Sequence, residues 1–360
     1  MILLLNPKMT AFYARDTLID MKILILRFSS FGDVTQCLSV PSKIQTHWPT
    51  AQIHWAVRED LSELLNGHPA IHKIWKLSRK SGPKGLLSLG LTLRKENFTH
   101  VYDAHNNMRS HVLSILICFF KSVHFLRKSQ KRWKRFLLFK LRINKYKMPF
   151  SGQRDLIDPL VVWQIDQSLP QVPQLFLDSG LEKIAMHKNK WSAFKYIALA
   201  PSAAYELKRW PVSSWKKMIE YFPDENFVIL GGPEDLFLNE IVAQNPRQIL
   251  NLAGACSLNE SSAIIKNSKA LVTNDTGLLH VGEQLGIQTI ALMGPAPFGY
   301  PSRPKTKIME LDLNCKPCSK HGQGPCVNSE YQKCLVGISA ESVAKQLEQI
   351  IKSKNNEYSV

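Results

Sequence analysis

The stretch Asn274-Asp275-Thr276-Gly277-Leu278-Leu279-His280 concentrates more potential chemistry than any other in the chain. It follows a short apolar run at residues 270–272 and opens a helix-like segment at 278–285, so the order predicts a strand, a tight turn and a helix. Hydroxyl groups and unpaired backbone N–H donors at a helix N-terminus favour a phosphate. The same residues are also good turn and N-cap chemistry, and taken alone the stretch leaves both readings open.

Two further segments have the same layout. Residues 22–28 read as a buried strand running into Ser29-Ser30-Phe31-Gly32-Asp33 and then a helix ending near Thr46. A glycine beside a carboxylate at the C-terminal end of a strand is where open α/β sheets place ligands. In the second half, residues 196–200 form another strand, followed by a loop with Ser202 and the adjacent cations Lys208 and Arg209, then a helix over 213–221.

Taken together, the motifs R-F-S-S-F-G-D-V, D-A-H-N-N-M-R-S, K-R-W-P, G-G-P-E-D and N-D-T-G-L-L-H, with a cysteine-rich tail, resemble glycosyltransferase family 9, the ADP-heptose:lipopolysaccharide heptosyltransferases. Each motif is short; their order and spacing as a set carry the likeness from Met21 onward. The resemblance implies a GT-B fold, in which two Rossmann-like domains face each other across a cleft, the first binding mainly acceptor and the second nucleotide-sugar. It implies inverting transfer of heptose from ADP-heptose to a hydroxyl of the lipopolysaccharide inner core, with no bound cofactor or metal required for the transfer.

Such a transfer builds oxocarbenium character at the anomeric carbon and negative charge on the departing diphosphate. It therefore needs a base on one side and cations or N–H donors on the other. By the resemblance Asp33 is the base, while the plainer reading of its place is a carboxylate capping the next helix. Ser29, Ser30 and Gly32 then shape the loop that admits the acceptor. Lys208 matches the lysine that contacts pyrophosphate before Trp-Pro, and a compact ammonium suits diphosphate oxygens. Thr276 and Gly277 offer donors to the diphosphate, Asp275 accepts from donor sugar hydroxyls, and Ser202, Gly231, Gly232 and His280 complete the expected donor site. Trp210 is expected in the core, and Arg209 is as readily placed in solvent. Arg109 aligns with a basic position facing the acid sugar of the acceptor. This chain departs from the usual pattern at His105-Asn106, where Gln-Gly is common, and at Ser39, where many members carry proline. Both departures bear on acceptor identity.

At 360 residues, with 44% hydrophobic and 21% charged residues, the chain is long for one α/β core and is not of disordered composition. Short apolar runs alternating with amphipathic stretches predict parallel sheets in both halves. The expected division is an extension over 1–20, an acceptor domain over 21–180, a donor domain over 190–337, and a C-terminal helix and tail over 338–360. The first segment is too short for a signal peptide or a span, and Met21 is a plausible alternative start.

Net charge is +17 and unevenly placed. No acidic residue falls between Asp103 and Asp155, while basic residues accumulate over 121–147 among apolar ones. That mixture points to an anionic membrane surface, which the resemblance implies is the inner face of the inner membrane, approached from the cytoplasm. A buried helix followed by a solvated basic face is the plainer reading. Nucleic acid is not expected, because no recognition motif accompanies the charge. Two rival readings stay open: a family 9 transferase using another nucleotide-activated sugar, and a non-catalytic basic protein that binds acidic glycolipid or nucleic acid. Cys315, Cys318, Cys326 and Cys334 cluster in one stretch, where free thiols, a structural metal and disulfides are alternatives, with free thiols and no metal as the expectation.

Overall fold

The computed structural model describes residues 21–357, so the expectations for 1–20 and for the extreme tail lie outside the described residues. In the first half the elements run β1 (Lys22–Leu26), α1 (Phe31–Cys37), α2 (Ser39–His47), β2 (Gln52–Arg58), β3 (Lys73–Leu77), α3 (Gly82–Lys95), β4 (His100–Asp103), α4 (Met108–Cys118), β5 (His124–Arg127), α5 (Arg132–Leu141) and α6 (Gly152–Ile157). Then follow α7 (Ser179–Lys188), β6 (Tyr196–Ala200), α8 (Val212–Glu220), β7 (Asn226–Ile229), α9 (Leu238–Val242), β8 (Ile249–Asn251), α10 (Leu258–Lys266), β9 (Leu271–Asn274), α11 (Gly277–Leu285), β10 (Thr289–Leu292), β11 (Thr306–Met309), α12 (Lys333–Val336) and α13 (Ala340–Glu357).

Two wholly parallel sheets result, ordered β3-β2-β1-β4-β5 and β11-β10-β9-β6-β7-β8. Ile25, Trp55 and Tyr102 stand in register across three strands of the first and are fully buried, as expected of a sheet covered on both faces. In each sheet the strand order reverses beside one strand: β1 lies between β2 and β4, and β6 between β7 and β9. Ligands of open α/β sheets bind beyond the strand C-termini at such reversals. The loops after β1, β4, β6, β7 and β9 are the loops that carry the motifs singled out in the sequence.

The expected single helix up to Thr46 is two helices, divided at Leu38. Pro41 has no N–H to bond back along a continuous helix, and it is tolerated instead in the first turn of α2. A continuous core joins the halves: Val34, Leu38 and Leu156 of the first share a cluster with Leu278, Val281 and Leu285 of the second. The C-terminal helix belongs to the second half, where Val343, Leu347 and Ile351 pack with Trp215 and Ile290. No helix among the described residues is long and apolar enough to cross a membrane.

Candidate active site

Asp33 occupies the first turn of α1, at the mouth of a cavity of about 690 Å³ between the halves. Its Oδ2 takes all its contacts: the guanidinium of Arg27 at 2.7 Å, the Ser30 N–H at 3.1 Å and the Ser30 hydroxyl at 2.9 Å. Oδ1 has no partner among the described residues and the side chain is 47% exposed, so one oxygen anchors the carboxylate while the other faces the cavity. The capping reading of Asp33 is realised through Oδ2, and Oδ1 stays without a partner among the described residues. Crowding by the facing half works against the charged form, but Arg27, the Ser30 donors and Lys128 outweigh it and the pKa falls to about 2.

Arg27 escaped the sequence reading. It is 8% exposed, donates to the Ala104 carbonyl at 2.7 Å, and has no hydrogen-bond partner for Nε. A cation at the end of an apolar strand, six residues before Asp33, was the available signal. His105 lies behind it, edge-on to Phe28, and burial with the Arg27 charge lowers its pKa to about 4, which leaves it neutral near pH 7.

On the opposite bank Lys208 donates to Asp275 at 2.8 Å, both side chains being largely buried. Asn274 ties the two motifs together, accepting from the Trp210 N–H at 3.2 Å and donating to the Pro201 carbonyl. Trp210 is in the core, as expected, 1% exposed. Thr276 is the N-cap of α11, yet its hydroxyl makes no capping bond; the Leu279 N–H donates to the Thr276 carbonyl at 3.2 Å, which leaves the N–H groups of Gly277 and Leu278 for another acceptor. Gly299 lets the backbone approach Asp275, because a Cβ there would lie 1.8 Å from Oδ1.

Ser30, Gly32, Asp33, Lys208, Asp275, Thr276, Gly277 and His280 line this one cavity. Ser29 is half-buried at its edge in sequence. His280 is buried and bonded to Glu283 at 3.1 Å, with its ring against Gly32, a position that serves packing between the halves as much as any ligand. Ser202, Gly231 and Gly232 form a neighbouring cluster around Asp235, which accepts from the Ser202 hydroxyl at 2.5 Å and the Gly232 N–H at 2.8 Å. Arg209 does not stand in solvent; it donates to the Ala203 carbonyl at 2.9 Å and lies over Phe237. Arg109 is not in the Asp33 cavity: it lines a separate recess of about 260 Å³ with Phe28, Arg58 and Arg79.

The basic block also divides. Lys128 and Arg135 turn into the cavity, Lys128 and Lys131 both pair with Asp155, and Arg127 pairs with Asp103 at 2.8 Å. Arg132, Lys134 and Lys140 stay exposed beside Trp133, Phe136 and Leu141. The four clustered cysteines border one small cavity, all seven cysteines are free thiols, and among the described residues no group of three or more His, Cys, Asp or Glu is arranged to hold a metal ion.

The chain is 26% identical to the lipooligosaccharide heptosyltransferase 2 of Haemophilus ducreyi, over 92% of this chain and 99% of that one, and equally to the lipopolysaccharide heptosyltransferase 2 of Escherichia coli with the same coverage. Among solved structures it resembles the ADP-heptose lps heptosyltransferase II of E. coli, with a TM-score of 0.71, 22% identity, and 93% and 100% of the two chains covered. A family 9 glycosyl transferase from Veillonella parvula superposes with a TM-score of 0.75 at 21% identity, covering 93% of this chain and 98% of the other. These likenesses give the fold as GT-B. The profile of glycosyltransferase family 9 (heptosyltransferase) matches residues 86–326, two thirds of the sequence, and the chain belongs to that family of glycosyltransferases.

Proposed function

We propose that this glycosyltransferase moves heptose from ADP-heptose to a hydroxyl of the lipopolysaccharide inner core with inversion. The observation that carries the reading is the opposition of Asp33, with one free carboxylate oxygen, to the Lys208–Asp275 pair across a single cavity. Relatives alike over nearly their whole length are named heptosyltransferases, and a related E. coli heptosyltransferase was solved with ADP.

In this reading Oδ1 of Asp33 accepts the proton of the attacking hydroxyl. A carboxyl with a pKa of about 2 is a weak base, so the proton passes late, once bonding to the anomeric carbon has made the hydroxyl acidic. Arg27 and the Ser30 donors keep the carboxylate aimed, and Ser29 and Gly32 leave room for the acceptor. Lys208 meets the charge that grows on the diphosphate, with Thr276 and the Gly277 N–H group beside it. Asp275 and His280 hold donor sugar hydroxyls, and the Ser202, Gly231 and Gly232 cluster supports the nucleotide. Arg109 and its recess extend the acceptor side. The exposed basic and aromatic face of α5 rests on an anionic membrane, which brings the enzyme to a lipid-borne acceptor from the cytoplasmic side.

Mass spectrometry after incubation with ADP-heptose and a deep-core lipopolysaccharide acceptor tests the reading. One added heptose is expected. An unmodified acceptor, with transfer from a different nucleotide-activated sugar, would move the chain to another donor.

A further inference from the structure

The roles above leave part of the cleft's charge unused. Five cationic side chains and three carboxylates line it, and the carboxylates are all engaged: Asp33 by Arg27, Asp155 by Lys128, and Asp275 by Lys208. Arg135 and Lys320 remain, with no carboxylate partner among the described residues. They come from opposite halves, Arg135 from α5 and Lys320 from the cysteine-rich loop, yet they line the same cavity, and burial and then the Arg135 charge lower the Lys320 pKa. His321 lines the cavity with them, and burial and then the charges of Lys320, Lys208 and Arg135 lower its pKa against the opposing charge of Asp33.

Lys320 and His321 are exposed on the wall of the cavity, whereas Arg135 is half-buried. The Arg135 guanidinium sits 5.0 Å from the Phe298 ring, and its Nε is shielded from water without any acceptor. An ionised donor left unsatisfied is costly, and two like charges held together add to that cost. The loop bearing Lys320 is also fixed in place. Gly322 packs on the Lys208 side chain so closely that a Cβ would come within 2.5 Å of its Cγ, and Gln323 donates to the Tyr205 hydroxyl at 2.9 Å. Ser319 donates to the Gln323 carbonyl at 2.8 Å and accepts from the Gly322 N–H at 3.0 Å, closing the turn.

We propose that Arg135, Lys320 and His321 form a phosphate seat, distinct from the diphosphate contact at Lys208, that receives a phosphate group carried by the acceptor. The proposal rests on the transferase reading above. A guanidinium and an ammonium that line one cavity and lack carboxylate partners suit a phosphate dianion, which neutralises both. Arg135 belongs to the half that presents Asp33, and the donor diphosphate already has Lys208 and the N-terminus of α11. The seat would thus select among acceptors by phosphorylation.

The full-length chain, saturated with ADP so that Lys208 is occupied, is titrated with inorganic phosphate by calorimetry, beside Arg135→Gln and Lys320→Gln. A loss of affinity of about tenfold or more in each is expected, with Arg135→Lys partly restoring it. Steady-state rates follow, with phosphorylated and enzymatically dephosphorylated acceptors. Both Gln variants should raise KM for the phosphorylated acceptor to that of the dephosphorylated one while KM for the donor stays within about twofold. A rise confined to donor KM would assign the seat to the nucleotide-sugar, and unchanged phosphate binding would reduce the two cations to a solvated pair. Should the wild-type chain transfer no ADP-sugar, the transferase reading falls, and the phosphate titration still decides the seat.

Discussion

Phe31 of α1 lies directly against Gly277, the first residue of α11: a Cβ at position 277 would stand 2.2 Å from Phe31 Cδ1. Through this contact the helix turn that presents Asp33 is set against the helix N-terminus expected to meet the diphosphate. Gly32 completes it from the other side, its Cβ direction ending 3.4 Å from the Gly277 Cα. Gly277→Ala must push the two helices apart or tilt the ring. Because misplacing reacting groups by about 1 Å costs up to about 10²-fold in rate, kcat should fall by roughly one to two orders of magnitude, and a smaller ring at position 31 should restore part of it. Steady-state kinetics of Gly277→Ala and of Gly277→Ala with Phe31→Leu check this; equal activity in all three proteins would remove the contact from any role in alignment.

Asp33→Asn keeps the shape of the side chain and removes the base. Turnover should drop by about 10²-fold or more with ADP affinity nearly unchanged, since ADP lies with the other half in the proposed reading. The pH profile offers a second check. The folded pKa is depressed, to about 2, so the ion pair's contribution to stability is present above the ordinary carboxylate range and lost as pH falls through the folded value. Accordingly Asp33 stays ionised throughout the weakly acidic range, and no acid limb of kcat between pH 4 and 6 should belong to it. Arg27→Gln removes the main lowering charge and should move such a limb upward into the measurable range. A wild-type limb near pH 5 that disappears in Asp33→Asn would contradict this account.

Lys208 and Asp275 form a pair in which each partner has a separate expected role. Lys208→Ala should lower kcat by about 10²-fold, because the lost cation acts most strongly as diphosphate charge develops. It also strands Asp275, buried to 4% exposure, without its counter-charge, so some loss of thermal stability should accompany it. Asp275→Asn should instead raise donor KM with a smaller effect on ADP binding, as ADP lacks the sugar. If Lys208→Ala weakens only the acceptor, the lysine serves the other bank of the cleft.

The strands that carry the donor-side motifs were legible because each is a short apolar run feeding a glycine or proline loop, as at Tyr196–Ala200 before Pro201 and Leu271–Asn274 before Gly277. Tyr196–Ala200 appears with the expected bounds, and α11 begins one residue early, at Gly277. Most site residues were legible for the same reason, since Asp33, Lys208 and Asp275 each follow a strand end. What could not be read were partnerships across long sequence separations. Nothing local to Arg135 says that it reaches Phe298, and nothing local to Lys320 places it on the same cavity as Arg135. The run of basic residues looked like one surface, although Lys128 and Arg135 turn inward while Arg132 and Lys134 do not. That choice follows from the helical turn of α5 and from where Asp155 lies, and both are tertiary facts.

The surface that can meet a membrane is therefore narrower than the basic run. Arg132, Lys134 and Lys140 are exposed, and none forms an ion pair among the described residues, so they are the proper test of surface attraction. Replacing the three with Gln should weaken binding to anionic vesicles by about 1 kcal/mol per residue and flatten its salt dependence. Transfer to a soluble, delipidated acceptor should be unaffected. Vesicle binding that persists at low salt would leave this face merely solvated.

Ser39 stands where many relatives are expected to carry proline, and its hydroxyl is the centre of a junction between the halves. It is fully buried; its oxygen lies 3.1 Å from Gln153 Oε1, 3.1 Å from Gln284 Nε2 and 3.0 Å from Arg303 Nη2. Gln284 in turn donates to the Thr35 carbonyl at 2.9 Å, and Arg303 to Gln153 at 3.0 Å, so one hydroxyl links α2, α6, α11 and the loop before β11. Ser39→Ala leaves the guanidinium and two amides short of partners in a buried place, which should cost about 1–3 kcal/mol. Because the junction joins the halves rather than touching the cavity, KM values should hardly move at low temperature while the unfolding midpoint falls. Denaturant unfolding followed beside kinetics separates the two effects. An unchanged midpoint would mean that water replaces the hydroxyl at no cost, and a changed acceptor KM would bring Ser39 into substrate selection after all.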